Sequence, residues 1–190
     1  MWHGRGRAAT FACRPTSREG ERAPGRDETP NRDRAARRNV MTAAVRPVER
    51  SDAAAWRALR RALWPEAAAG EHEGEIEEFF AGRALEPLAV LIAWDAEGAA
   101  VGFAELSIRP TADGCRTNRV AYLEGWFVTP EARRRGVGRA LVEAAERWAR
   151  GRGCRELASD TEAGNAVSIR AHEAAGFDDA GLIRCFRKDL

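Results

Sequence analysis

Residues 123–141 read Leu-Glu-Gly-Trp-Phe-Val-Thr-Pro-Glu-Ala-Arg-Arg-Arg-Gly-Val-Gly-Arg-Ala-Leu. An apolar, strand-like run breaks at Thr129-Pro130. A basic loop with two glycines follows and opens directly into a helical pattern. The first N–H groups of a helix have no intrahelical partner and lie at the positive end of its dipole. Such a loop is suited to a phosphate or diphosphate. Gly136 and Gly138 carry no Cβ, so the main chain there can approach an anion closely. Arg134, Arg135 and Arg139 can add charge-assisted hydrogen bonds. The alternative is a solvated loop that binds nothing. Two other nucleotide motifs are absent: no Gly-Lys-Ser/Thr follows the glycines, and the six-residue Rossmann glycine pattern is missing.

The elements around this loop follow from hydrophobic periodicity. The spacing predicts a short strand over 44–48. Ser51-Asp52 then offers an N-cap for a helix through Trp56, Leu59 and Leu63 that ends at Trp64-Pro65. A second helix is expected over 73–83. Strands are expected over 88–94 and 100–108, joined by the turn Asp95-Ala96-Glu97-Gly98. A loop over 109–118 leads to a strand over 119–128. The amphipathic helix 138–150 turns Leu141, Val142, Ala145 and Trp148 inward. A short strand over 156–160, a helix over 163–175 closed by Gly176, and a final strand pair over 177–179 and 182–187 complete the order. This alternation is that of an α/β (α+β) domain, a mixed sheet with helices on both faces.

Charge is spread unevenly. Residues 1–40 hold ten arginines and no lysine against five acids, whereas the rest has 21 basic and 24 acidic side chains. The slightly acidic remainder argues against nucleic acid as its partner and suits a small cationic substrate. The first 40 residues have few large apolar side chains and read as a disordered, Arg-rich extension. An interaction arm, a nucleic-acid tether and a start codon misplaced upstream of Met41 are the alternatives for it. Cys13, Cys115, Cys154 and Cys185 lack metal-type spacing and read as reduced thiols of a cytoplasmic protein. No apolar run of 18 residues and no secretory leader is present.

Arg133-x-x-Gly136-x-Gly138 after a strand resembles the acyl-CoA pyrophosphate loop of the GNAT acetyltransferases. The resemblance implies a mostly antiparallel sheet whose central strands splay to admit the pantetheine arm of acetyl-CoA. It further implies that Trp126, Phe127 and Val128 pair with that arm. The stretch Arg134, Arg135, Gly136, Val137, Gly138 and Arg139 would hold the pyrophosphate, and Asn165 would meet the cofactor near the pantetheine. Further strings over residues 44–190 resemble the aminoglycoside 6'-N-acetyltransferases within that superfamily. They are Trp56-Arg57-x-Leu59-Arg60-x-x-Leu63-Trp64-Pro65, Leu123-Glu124-Gly125, Ala158-Ser159-Asp160-Thr161, His172-x-Ala174-x-Gly176-Phe177 and Phe186-Arg187-Lys188. An aminoglycoside acceptor, a homodimer and a metal-free reaction are what this implies.

Polycationic sugars need carboxylates and a flat apolar wall. Glu124 and Asp160, expected at the ends of adjacent strands, are the candidates to hold the ammonium and take its proton; Trp64 is the candidate wall. Bland alternatives are a surface charge for Glu124, a helix cap for Asp160 and core packing for Trp64. An alkyl ammonium with a pKa of about 10.4 must lose a proton before it attacks a thioester, a task for a carboxylate through water, while the Val128 N–H polarises the carbonyl. His72 and His172 read as packing. Many GNAT enzymes carry a tyrosine acid near the last strands; the only tyrosine here, Tyr122, is expected elsewhere, with Phe186 in the late aromatic position. A GNAT enzyme for another amine, such as a polyamine, a metabolite or a protein N-terminus, is the second reading.

Overall fold

The computed structural model describes residues 43–189; the expected disordered extension over 1–40 lies outside the described residues. The elements are β1 (Ala44–Pro47), α1 (Ala53–Leu63), α2 (Glu71–Phe80), β2 (Ala89–Trp94), β3 (Ala100–Arg109), β4 (Val120–Val128), α3 (Val137–Gly151), β5 (Leu157–Ser159) and α4 (Ala166–Ala175). They form one sheet in the order β1-β2-β3-β4-β5. Every pairing is antiparallel except β4 with β5.

Both faces of the sheet are covered, as its central strands demand: β3 and β4 are buried along nearly their whole length. On one face Trp56, Leu59 and Leu63 of α1 and Ile76 of α2 pack on Val90, Ile92, Phe103 and Phe127. On the other, Val137, Leu141, Val142 and Ala145 of α3 pack on Leu91, Ala104, Leu106, Leu123, Trp126 and Val128, with Ala171 and Ala175 of α4 at the margin. Helix α1 stops where Pro65 disfavours helical geometry in the preceding residue. Asp52 does not cap α1 with its side chain. Its carboxylate accepts instead from the Glu49 N–H at 2.8 Å and from Arg46 at 2.6 and 3.0 Å, tying the helix start to β1. The Arg46 hydrogen bonds hold its pKa below the usual carboxylate range.

The expected final strand pair does not form: residues 177–189 are irregular, and Leu182, Ile183 and Phe186 are exposed. A strand needs a ladder partner, and these residues find none among the described residues. β5 instead borders an open groove of about 730 Å³, lined also by Gly114, Cys115 and residues 177–180.

Candidate active site

The site begins with one extra residue in β4. Its register against β3 runs Glu105↔Gly125 and then Leu106↔Leu123, so Glu124 is a bulge with no opposite number. A bulge shifts the alternation of the strand by one position. Leu123 faces the α3 side before the bulge; Trp126 and Val128 face it afterwards. β5 pairs only with Ala121–Leu123. Beyond the bulge, the edge of β4 on that side has no strand of the described residues beside it. Antiparallel hydrogen bonding alternates along a strand, and the Thr129 N–H donates to the Val101 carbonyl at 2.9 Å. By that alternation Phe127 also serves β3, and Trp126 and Val128 turn their main-chain groups towards the gap. The Val128 carbonyl accepts from Arg133 Nε at 3.0 Å, so the following loop folds back over this edge.

The loop then enters α3 through two left-handed residues, Arg134 at φ 60° and Gly136 at φ 89°. Gly136 is the N-cap and supplies no side-chain cap; the helical ladder starts with Ala140 N–H donating to the Gly136 carbonyl at 3.0 Å. The first turn of α3 therefore presents donors that no side chain has capped, which fits a pyrophosphate. The two glycines differ in their local geometry. Gly136 supplies the positive φ. A Cβ on Gly138 would come within 3.0 Å of the Trp126 ring, so the absence of a side chain there also lets the helix start seat on that ring. Arg139 pairs with Glu143 at 3.0 Å on the open surface, a contact weak enough to be exchanged for a phosphate.

Two carboxylates stand beside the gap. Glu124 accepts from Ser107 Oγ and from Arg109, whose Nε and Nη2 lie 3.1 and 2.6 Å from its two oxygens. Burial raises its pKa, against the opposing pull of Ser107 and Arg109. The Arg109 guanidinium lies 3.4 Å over the Tyr122 ring, and the Tyr122 hydroxyl donates to Asp160 Oδ1 at 2.9 Å. Asp160 is exposed, one residue past β5. It does not cap α4. Asn165 does, its Oδ1 accepting from the Ser168 N–H at 3.1 Å.

Trp64 sits at the end of α1, half-buried, edge-on to Phe103 with ring centroids 6.0 Å apart. Its indole lies so close to the bulge that a Cβ on Gly125 would come within 2.6 Å of it. It is thus both a core residue and a wall of the bulge. His172 contacts the Ser168 carbonyl at 2.8 Å and Ser159 Oγ at 3.0 Å and meets the Trp126 ring edge-on; burial lowers its pKa. These contacts tie α4 to Ser159 of β5 and to Trp126 of β4.

The sequence places Arg109 in a loop and Tyr122 away from the chemistry. The structure makes Arg109 the last residue of β3, pairs it with Glu124 and lays it over the Tyr122 ring, and Tyr122 in turn bonds Asp160. The signal was present in the period of two: Ser107 and Arg109 share a face of β3, and Tyr122 lies two residues before Glu124. Among the described residues no cluster of three or more His, Cys, Asp or Glu side chains could hold a metal, and no helix is long and apolar enough to cross a membrane.

Comparison with known proteins agrees with this architecture. The sequence profile of the acetyltransferase (GNAT) family matches residues 56–177. The aminoglycoside N(6')-acetyltransferase type 1 of Klebsiella aerogenes is 58% identical over 146 residues, covering 77% of this chain and 96% of the relative. The enzyme of the same name from Salmonella typhimurium is 40% identical over 145 residues, 76% and 97% of the two chains. Among solved structures, AAC(6')-Iy in complex with the bisubstrate analogue CoA-S-monomethyl-acetylneamine superposes with a TM-score of 0.72 at 39% identity, covering 78% of this chain and 99% of that one. Aminoglycoside 6'-N-acetyltransferase AAC(6')-Ih from Acinetobacter baumannii matches with the same TM-score at 34% identity, over 78% and 99%. A bulged strand, a one-sided gap and an uncapped helix start recur here with the sequence profile itself: the chain belongs to the acetyltransferase (GNAT) family.

Proposed function

We propose that the protein transfers the acetyl group of acetyl-CoA to the 6'-amino group of aminoglycosides and thereby confers resistance to them. The observation that carries this reading is the opening beside β4. It runs from the uncapped first turn of α3, past Trp126 and Val128, to acidic side chains at Glu124 and Asp160. The named activity of the relatives and the joined CoA and acetylneamine of the analogue bound by AAC(6')-Iy support it.

In this reading Arg134, Arg135, Gly136, Val137, Gly138 and Arg139 hold the pyrophosphate. Trp126 and Val128 pair with the pantetheine, beside Phe127, and the amide of Asn165 faces it from the start of α4. Trp64 forms the wall for the sugar rings. Asp160 receives the 6'-ammonium and takes its proton, directly or through water. The freed amine attacks the thioester carbonyl while the Val128 N–H stabilises the developing oxyanion. The C–S bond then breaks, the nitrogen gives up its second proton to solvent, and the thiolate leaves and takes a proton from solvent. Glu124 helps to shape the same site from behind Arg109. The catalytic domain begins near Met41, acts in the cytoplasm as a homodimer and has no use for nucleic acid.

The test measures thiol release from acetyl-CoA by the full chain against a panel of aminoglycosides. Release with 6'-amino members and none with 6'-hydroxy members is the expected result. Turnover of polyamines or peptide N-termini in place of the panel would transfer the activity to another amine.

A further inference from the structure

We infer that Tyr122 is a positioning residue for Asp160, clamped in turn by Arg109; the inference rests on the role given to Asp160 above. Asp160 needs such a device. It lies just beyond a three-residue strand, outside the ladder and exposed, where its side chain would otherwise be free to rotate. The Tyr122 hydroxyl fixes Oδ1 at 2.9 Å and leaves Oδ2 for an ammonium. Burial and the neighbouring carboxylate push the Tyr122 pKa upward, so the phenol keeps its proton and remains a donor.

Arg109 locks the arrangement. Its guanidinium covers the face of the buried Tyr122 ring and is held by both oxygens of Glu124, with Ser107 as a third donor to that carboxylate. Glu124 is thereby the anchor of a clamp that crosses β3 and β4 and ends on Asp160. The charges agree with this division. Arg109 and Glu124 neutralise one another, and Asp160 contributes one remaining negative charge to meet one ammonium. Two open carboxylates would instead hold the amine in two competing places.

A double-mutant cycle separates positioning from mere packing. Tyr122→Phe keeps the ring beneath Arg109 and removes only the hydroxyl. The variants Tyr122→Phe, Asp160→Asn and the double mutant are compared with acetyl-CoA and kanamycin. The expected result is a fall in kcat/KM for kanamycin on the order of tenfold in Tyr122→Phe, the scale of a lost hydrogen bond to a charged group. The KM for acetyl-CoA should not move, and the double mutant should lose nothing beyond Asp160→Asn alone. Full activity of Tyr122→Phe, an equal fractional loss in both backgrounds, or a parallel rise in the acetyl-CoA KM would overturn the inference. Full activity of Asp160→Asn would instead remove the parent reading.

Discussion

At the scale of single residues, the site is set by which side chain has no room to change. Gly125 is such a position, because the Trp64 indole occupies the space a Cβ would need. Gly125→Ala must push Trp64 out or bend the bulge, an overpacking cost of about 1–3 kcal/mol. The expected outcome is a lowered thermal midpoint together with a raised KM for the aminoglycoside, read by calorimetry and steady-state kinetics. Retention of both would show that Trp64 moves without consequence and is no wall. Glu124, Asp160 and Trp64 stand out in the sequence as acidic and aromatic residues near the breaks between elements; the structure sets Asp160 just past β5 and Trp64 at the end of α1, but Glu124 at a bulge in the middle of β4 rather than at a strand end. The link between Arg109 and Tyr122 was not legible. It depends on the register across a ten-residue loop, which sets Tyr122 opposite Ser107 and diagonal to Arg109; the period of two gives the face of each strand but not that register.

At the scale of elements, helices α1 and α3 were plain from their apolar period, and their positions shifted by only a residue or two. Their attachments were less plain, since polar locks have no period. The lock between α1 and β3 is Glu105, fully enclosed, accepting from Trp56 Nε1 at 2.8 Å and lying 3.2 Å from Arg60 Nε. Burial raises its pKa to about 6, against the pull of Arg60 and Trp56. The folded protein therefore binds a proton here more readily than the unfolded chain does. This contribution to stability is complete below about pH 4.5 and disappears as the pH rises through about 6, a change on the order of 2 kcal/mol. Asp52, Glu73, Glu78 and Glu156, whose pKa values are lowered, act in the opposite direction. Denaturant titrations of wild type and Glu105→Gln isolate the one group. The stability of wild type relative to the variant should fall across that interval, and a constant difference would mean that Glu105 does not titrate there.

At the scale of the whole molecule, the alternation of strands and helices was enough to place five strands and two covering layers. It could not show whether the last apolar stretch would find a partner, because periodicity describes a strand and not its neighbour. Leu182, Ile183 and Phe186 are 83%, 70% and 88% exposed, and the edge of β5 lies beside an unfilled groove. In the proposed homodimer a second copy covers these side chains. Ile183→Asp combined with Phe186→Asp should then convert a dimer to a monomer in sedimentation equilibrium, whereas a monomeric wild type would end that part of the proposal.

The gap beside β4 also has a mechanical meaning. Three residue pairs, Ala121↔Leu157, Tyr122↔Ala158 and Leu123↔Ser159, are the whole ladder that fastens β5 to the sheet. The root of the notch is Glu124, and the hydrogen bond from Tyr122 to Asp160 reaches across just below it. Under the proposed function the pantetheine of acetyl-CoA lies along that open edge, so its binding would tie the β5 flank, and Asp160 with it, to β4 by a second set of contacts.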